Sequence, residues 1–387
     1  MPEDPARPTA EVLDTGGPRW SSGPRRAVLV LLLALAVVAV AVVVDRTAPS
    51  SAPQPAPSSA PTAPGATTAA TPGPPVVLRT AGPVPAGLGG GALFARTADT
   101  VFRVDLATGR VTATPAPVPG AAPVSFVAGA AGVLVRPADG STGWLVPDDD
   151  AARPLDGLLG GAAQVLPASD GRIWVSELLD GRSSSFALTS FDGTPTGTSV
   201  RENGYFLADG SGGLLLVDAG GLWERVDDRW RRLAIGTALA TGPHQHLLAT
   251  CARFDDCGVV TLVRYDRARR TSRPVLGDTD LQLPGGGTVS ADGRYVASTV
   301  NGDDAPDGQT RAVVLDLDTD RVVKQMVVRA PTPDVSGVAV WVPARDRLVG
   351  VDDGQLFVLD ATTGTTTRPD LGLPPGAAVL QVALRTG

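Results

Sequence analysis

The chain has 387 residues, 46 of them glycine and 35 proline, with 43% hydrophobic residues and a formal net charge of −7. That hydrophobic content excludes wholesale disorder despite the glycine and proline. Residues 1–46 carry five basic and five acidic side chains and residues 47–76 none, so the net charge sits on residues 77–387. An acidic region without a Lys/Arg-rich run repels a phosphate backbone, which argues against nucleic acid as a partner.

Residues 1–26 read as a short, disordered tail. They lead into "AVLVLLLALAVVAVAVVV", Ala27 to Val44, eighteen residues without a polar side chain. As a helix this run spans roughly 27 Å, close to the hydrocarbon thickness of a bilayer. Arg25 and Arg26 stand directly before it and would hold that end on the cytoplasmic side, sending the C-terminal part across the membrane. A cleaved signal peptide would have a shorter apolar core and a small-residue site after it. Here valines run up to Asp45, so an uncleaved single-pass anchor in the cell membrane is expected. Residues 45–76 form a linker rich in Pro, Ala, Ser and Thr. Nine of the thirty residues in 47–76 are proline, which keeps the segment extended as a semi-rigid stalk.

Residues 77–387 show short alternating or β-branched runs broken by Gly, Asp and Asn, the pattern of an all-β fold. One phrase recurs: an apolar strand ending in Asp, a turn, then another strand. Clear copies are "VFRVDLATGRV" (101–111), "AVVLDLDTDRVV" (312–323) and "LFVLDATTGTTT" (356–367). The Asp that opens each turn is Asp105, Asp148, Asp192, Asp227, Asp266, Asp316 or Asp360, a mean spacing of about 42 residues that suits four-stranded propeller blades. Each such Asp is expected to cap its own turn through backbone amides. A second phrase, a tight turn followed by an apolar strand, runs out of phase with the first, as in "ASDGRIWVS" (168–176) and "SADGRYVAS" (290–298), and also counts seven. The expected fold is a seven-bladed β-propeller, a ring that leaves no long exposed edge. The C-terminal "AAVLQVAL" (377–384) falls where the missing inner strand of the first blade belongs. "VVLRT" (76–80) competes for that role, and the sequence does not choose between them.

"SADGRYVAS" and "VVLDLDTDR" (313–321) resemble the strand-turn phrases of bacterial β-propellers of the Tol-type and WD-like repeat superfamily. The whole resembles membrane-anchored propellers of actinobacteria, over residues of about 80–385. The resemblance implies blades rather than a chemistry, and the Trp-Asp pair of the true WD repeat does not occur.

The only cysteines are Cys251 and Cys257, in "CARFDDC". They flank a predicted hairpin loop between the second and third strands of the fifth blade, where facing Cβ atoms come within disulfide range. A disulfide there requires an oxidising compartment, in agreement with the orientation set by Arg25 and Arg26. The only histidines, His244 and His246, lie just upstream, but from His246 to Cys251 an extended strand covers roughly 16 Å, against metal-ligand distances near 2 Å. A redox pair would call for C-x-x-C and a following helix.

No G-x-S-x-G or H-E-x-x-H occurs. "GLGGGA" (87–92) leads into a strand and not the helix a dinucleotide site needs. Asp303, Asp304 and Asp307 in "NGDDAPDGQ" (301–309) are the best metal candidates, yet Ala305 and Val314 occupy ligand positions of the EF-hand pattern. Glu177 and Asp180 are a carboxylate pair of the kind a glycosidase uses. Trp144, Trp174, Trp223 and Trp341 are expected to fill wedges between blades. No catalytic residue and no cofactor is assigned. The expected function is a non-catalytic binding or scaffold module for a cell-envelope protein, peptide or glycan. The alternative is a propeller hydrolase or lyase acting on envelope carbohydrate through carboxylates at the channel mouth. A third reading makes the propeller the sensor of a transmembrane signal.

Overall fold

The computed structural model describes residues 73–118, 123–177, 184–252, 260–275, 283, 285–300, 310–328, 337–343 and 345–386. The expected anchor Ala27 to Val44 lies outside the described residues, as do Asp180, Cys257, Asp303, Asp304 and Asp307. Among the described residues no helix is long and apolar enough to cross a membrane.

The apolar phrases become strands, almost all of them in antiparallel meanders. β1 (Val76–Arg79), β2 (Gly91–Arg96), β3 (Thr100–Asp105) and β4 (Val111–Pro115) share the first sheet. The second holds β5 (Val124–Gly129), β6 (Gly132–Pro137), β7 (Trp144–Pro147) and β8 (Arg153–Pro154). β9 (Val165–Pro167), β10 (Ile173–Glu177), β11 (Ser184–Thr189) and β12 (Pro195–Glu202) make the third. β13 (Tyr205–Ala208), β14 (Leu214–Asp218), β15 (Gly221–Val226) and β16 (Arg229–Ala234) make the fourth. Next, β17 (Gly236–Thr241), β18 (Gln245–Cys251), β19 (Val260–Asp266) and β20 (Thr271–Pro274) form one meander. β21 (Gly287–Val289), β22 (Tyr295–Val300), β23 (Thr310–Asp316) and β24 (Arg321–Val328) form another. These two meanders join into one eight-stranded sheet through a short parallel pairing of their first strands, β17 and β21. β25 (Ala339–Trp341), β26 (Arg347–Asp352), β27 (Gln355–Asp360) and β28 (Thr365–Thr367) form the last meander, and β29 (Gln381–Thr386) ends the chain.

Closure is settled by β29. It pairs antiparallel with β2, from Gly91 opposite Thr386 to Arg96 opposite Gln381, and so supplies the inner strand that the first sheet lacks. β1 pairs instead with β4, on the other edge of that sheet. The physical reason lies in the side chains. β29 places buried Gln381, Val382 and Ala383 against the core, whereas Val76, Val77 and Leu78 of β1 remain exposed. Gln381 ties β29 to the next sheet, donating from Nε2 to the Val124 carbonyl at 2.8 Å and accepting from Arg96 Nε through Oε1 at 2.8 Å. Arg385 of β29 reaches the same neighbour, with 2.7 and 3.1 Å bonds to Asp148 and a bond to the Gly129 carbonyl.

Burial grades across each meander. Middle strands are covered on both faces, as in β6 and β14, while outer strands such as β12 and β20 are largely exposed. The cause is stacking: the faces of one meander meet the faces of its neighbours, and apolar clusters fill the wedges. One cluster joins Ala297, Val314 and Met326 to Trp341, Leu348 and Phe357 of the following sheet. Another joins Leu93, Phe102 and Val382 to Val349, Leu356 and Val358, linking the last sheet to the first. Trp144, Trp174 and Trp341 are buried in these wedges, donating through Nε1 to the carbonyls of Pro117, Gly212 and Thr288 respectively; Trp223 is half-buried and bonds Asp218.

Five of the seven repeated Asp residues cap their turns as expected; Asp148 holds Arg385 instead, and Asp227, at φ 47, makes no such cap among the described residues. All seven markers stand at the turn between the third and fourth strands of a meander. Asp105 Oδ1 accepts from the amides of Ala107 and Thr108 at 3.0 and 2.9 Å, and Asp266, Asp316 and Asp360 cap their turns likewise. The fourth residue after the marker turns left-handed, which glycine supplies freely at Gly109 and Gly364. Arg270 and Asp320 take the same conformation at φ 58 and 54, at a steric cost.

Candidate functional site

Turns joining first to second strands and third to fourth strands emerge on one face of the meanders, because they sit at the same strand ends. On that face, between the β13–β16 sheet and the β17–β20 meander, lies a cavity of about 340 Å³. It is lined by Glu224 and Val226 of β15, Arg231 of β16, Pro243 and His244 of the turn after β17, and Arg267, Ala268 and Arg270 of the turn after β19.

The wall of this cavity is an ion-pair network. Arg267 follows the marker Asp266, and its backbone amide bonds the His244 carbonyl at 3.0 Å, which ties the two turns together. Its guanidinium donates to Glu224 Oε1 at 2.9 Å, Asp209 Oδ2 at 2.7 Å, Ser211 Oγ at 2.9 Å and the Pro243 carbonyl at 3.1 Å. Arg231 stands opposite Glu224 in the β15–β16 register and donates to Glu224 Oε2 at 2.5 Å and to the Tyr265 hydroxyl at 3.4 Å. Asp209 and Glu224 are only 4% and 3% exposed. Buried carboxylates are tolerable when paired and hydrogen-bonded, and here both are. Burial alone would raise the Asp209 carboxyl, but the Arg267 charge and the bonds from Ser211 and Gly213 outweigh it and hold the group below its usual range.

Behind this wall His246 is fully buried in β18, opposite Tyr265, with the two rings stacked at 6.2 Å. Neither ring nitrogen has a well-formed hydrogen bond. Burial first, and then the nearby Arg267 charge, push the imidazole down to about 4, so it is neutral at physiological pH.

A second cluster lies on the same face. Asp292, in the turn after β21, accepts from Ser290 Oγ at 2.6 Å and from the Arg294 amide at 2.9 Å. Asp346, before β26, is raised from the ordinary carboxylate range by burial and then by its Asp292 neighbour. Close by, Asp316 holds Arg294 at 3.0 and 2.7 Å, which keeps Asp316 down at about 2.

The structure does not gather the sequence candidates into one site. Cys251 ends β18 and is disulfide-bonded, while Cys257 lies outside the described residues. His244 is on the cavity rim and His246 behind its wall, in separate environments. Glu177 closes β10, on another sheet. Among the described residues no group of three His, Cys, Asp or Glu side chains is placed to hold a metal ion. Asp209, Glu224, Arg231 and Arg267 were not singled out by the sequence reading. The only signal was that charged residues stand inside otherwise apolar phrases, as Glu224 does in "GLWERV" (221–226).

Meanders of antiparallel strands, stacked face to face and closed by a C-terminal strand paired with the first sheet, define an all-β propeller. No protein-family model matches the chain, and no curated protein matches it. Among solved structures it is similar to the acylaminoacyl peptidase of Pyrococcus horikoshii, at 11% identity and a TM-score of 0.42, over 70% of this chain and 47% of that one. The match thus spans about half the peptidase's length. It is also similar to the β-propeller domain of the Trilobed protease from Pyrococcus furiosus (12% identity, TM-score 0.40, 71% of this chain and 91% of that one). TolB from Acinetobacter baumannii gives 12% identity and a TM-score of 0.39, over 70% and 77% of the two chains. At this level the likeness is one of fold, and the assignment rests on the sheet topology.

Proposed function

We propose that this chain is a single-pass membrane protein whose propeller stands outside the membrane on a proline-rich stalk. There it serves as a non-catalytic binding or scaffold module for a cell-envelope protein, peptide or glycan. In this reading residues 1–26 are cytoplasmic, Ala27 to Val44 span the bilayer, and 45–76 form the stalk. The ring is seven-bladed: five single sheets count as one blade each, and the eight-stranded sheet counts as two that meet through β17 and β21. Seven apolar clusters, each between neighbouring blades, support that count. The disulfide at Cys251, with Cys257 as its partner, supports an oxidising compartment.

The observation that carries a binding role is the state of the carboxylates at the cavity. Asp209 and Glu224 are each held by a guanidinium, an arrangement that fixes a surface and leaves no poised proton donor. Photo-crosslinking from intact cells, with the reactive group placed in turn on the rim of each propeller face, tests it. Reproducible recovery of one envelope component from one face supports the reading. A blank from both faces, with the protein displayed and folded, overturns it.

One observation favours the hydrolase or lyase reading. Asp346 is raised while sharing a contact with Asp292, and such paired carboxyl groups can carry acid and base roles. Turnover of envelope glycan that Asp346→Asn abolishes would establish that alternative.

A further inference from the structure

We infer that the cavity between the β13–β16 sheet and the β17–β20 meander is a binding site for a carboxylate carried on an apolar stem, as at an acidic side chain or chain terminus of a peptide. The inference rests on the binding-module reading and names the chemistry its partner would present. Counting Asp209 behind the wall, the site sets three guanidinium groups against two carboxylates, on a chain whose net charge is −7. The positive balance is local and runs against the sign of the whole domain.

The arginines do different jobs. Arg267 is consumed by Asp209, Glu224, Ser211 and the Pro243 carbonyl, so it acts as a fixed strut. Arg231 donates to Glu224 and Tyr265 through one terminal nitrogen, which leaves Nε and the other terminal nitrogen without a protein acceptor among the described residues. The backbone amide of Arg270 closes the turn onto the Asp266 carbonyl at 2.8 Å, while its exposed side chain has no hydrogen bond or ion pair among the described residues. It also stands in a left-handed turn position that glycine would fill without strain. Arg231 and Arg270 therefore supply unspent donors to the same cavity. Their forked geometry suits a carboxylate, and Glu224 and Tyr265 hold Arg231 in place beforehand, which reduces the entropy lost on binding.

The remaining lining decides what carries the carboxylate. Val226, Pro243 and Ala268 give the cavity apolar surface beside the cationic rim, and about 340 Å³ accommodates a side chain with its carboxylate. Free phosphate would leave that apolar surface unused.

The test uses the full chain in detergent and two acetylated tetrapeptides, one ending in Glu with a free C-terminus and the other in Gln amide. Titration calorimetry should detect the acidic peptide and give at least tenfold weaker binding for the amide. Arg270→Asn, which tolerates the left-handed turn, should weaken the acidic peptide about tenfold. Arg231→Gln with Arg270→Asn should abolish binding, with thermal unfolding unchanged for the single variant. Equal binding of both peptides, no weakening in Arg270→Asn, or displacement by equimolar inorganic phosphate would each overturn the inference. Crosslinking separates it from the reading beneath it. If the double variant still captures the envelope partner, the inference fails and the binding module stands. If wild type captures nothing, the module reading itself fails.

Discussion

Acidification should loosen this propeller through one buried imidazole. His246 is fully buried, its ring nitrogens have no well-formed partners, and its proton affinity is pushed down to about 4, against about 6.5 in an unfolded chain. Between those two values the unfolded chain holds a proton that the folded one refuses, so falling pH favours unfolding. The stability involved is fully present above pH 6.5 and is lost as the pH falls toward 4. The whole span corresponds to about 3 kcal/mol, of which about 2 kcal/mol is lost between pH 7 and pH 5. His246→Phe keeps the ring and its stack on Tyr265 but removes two unsatisfied polar atoms. It should raise stability at pH 7 by about 1–2 kcal/mol and flatten the slope between pH 5 and 7. Urea unfolding followed by tryptophan fluorescence across that range measures both. Asp346, raised by burial and by Asp292, opposes the trend, but it acts equally in both proteins and cancels in their difference. A variant that retains the wild-type slope would refute the reasoning.

The marker aspartates should differ in weight. Asp105→Ala removes turn bonds to Ala107 and Thr108 and should cost about 1 kcal/mol, whereas Asp316→Ala also removes the two-bond pair with Arg294 and should cost about 2 kcal/mol, read by the same unfolding assay. Deleting residues 377–387 removes β29 and uncovers the edge of β2. Cooperative unfolding should be lost, while Arg385→Met, which keeps β29 but removes the Asp148 pair and the bonds to the Gly129 and Ala130 carbonyls, should lower stability by about 1–3 kcal/mol. Reducing the disulfide at Cys251 should cost about 2–3 kcal/mol, from loss of a short loop constraint, and Cys251→Ser should make the protein indifferent to reductant.

Strand positions and turns were legible in the sequence because they depend on local physics. A β-branched run that ends in Asp and a turn carries its own instructions, and Asp105, Asp266, Asp316 and Asp360 cap the turns that their spacing predicts. Bulky Trp144, Trp174 and Trp341 had few places to go in such a fold except the wedges between sheets. Other features were decided only when distant segments met. "VVLRT" and "AAVLQVAL" are equally good strands, and β29 closes the ring because it brings Gln381 and Arg385 to partners on the next sheet. Asp209, the Glu224–Arg231 hairpin pair and Arg267 come from three separate stretches of chain, and nothing in the spacing of any one stretch marks them as a network. Local hydrogen bonding and hydrophobic alternation act over a few residues, so sequence alone determined the blades. Pairing of buried charges acts across space, so only the tertiary structure decided the cavity.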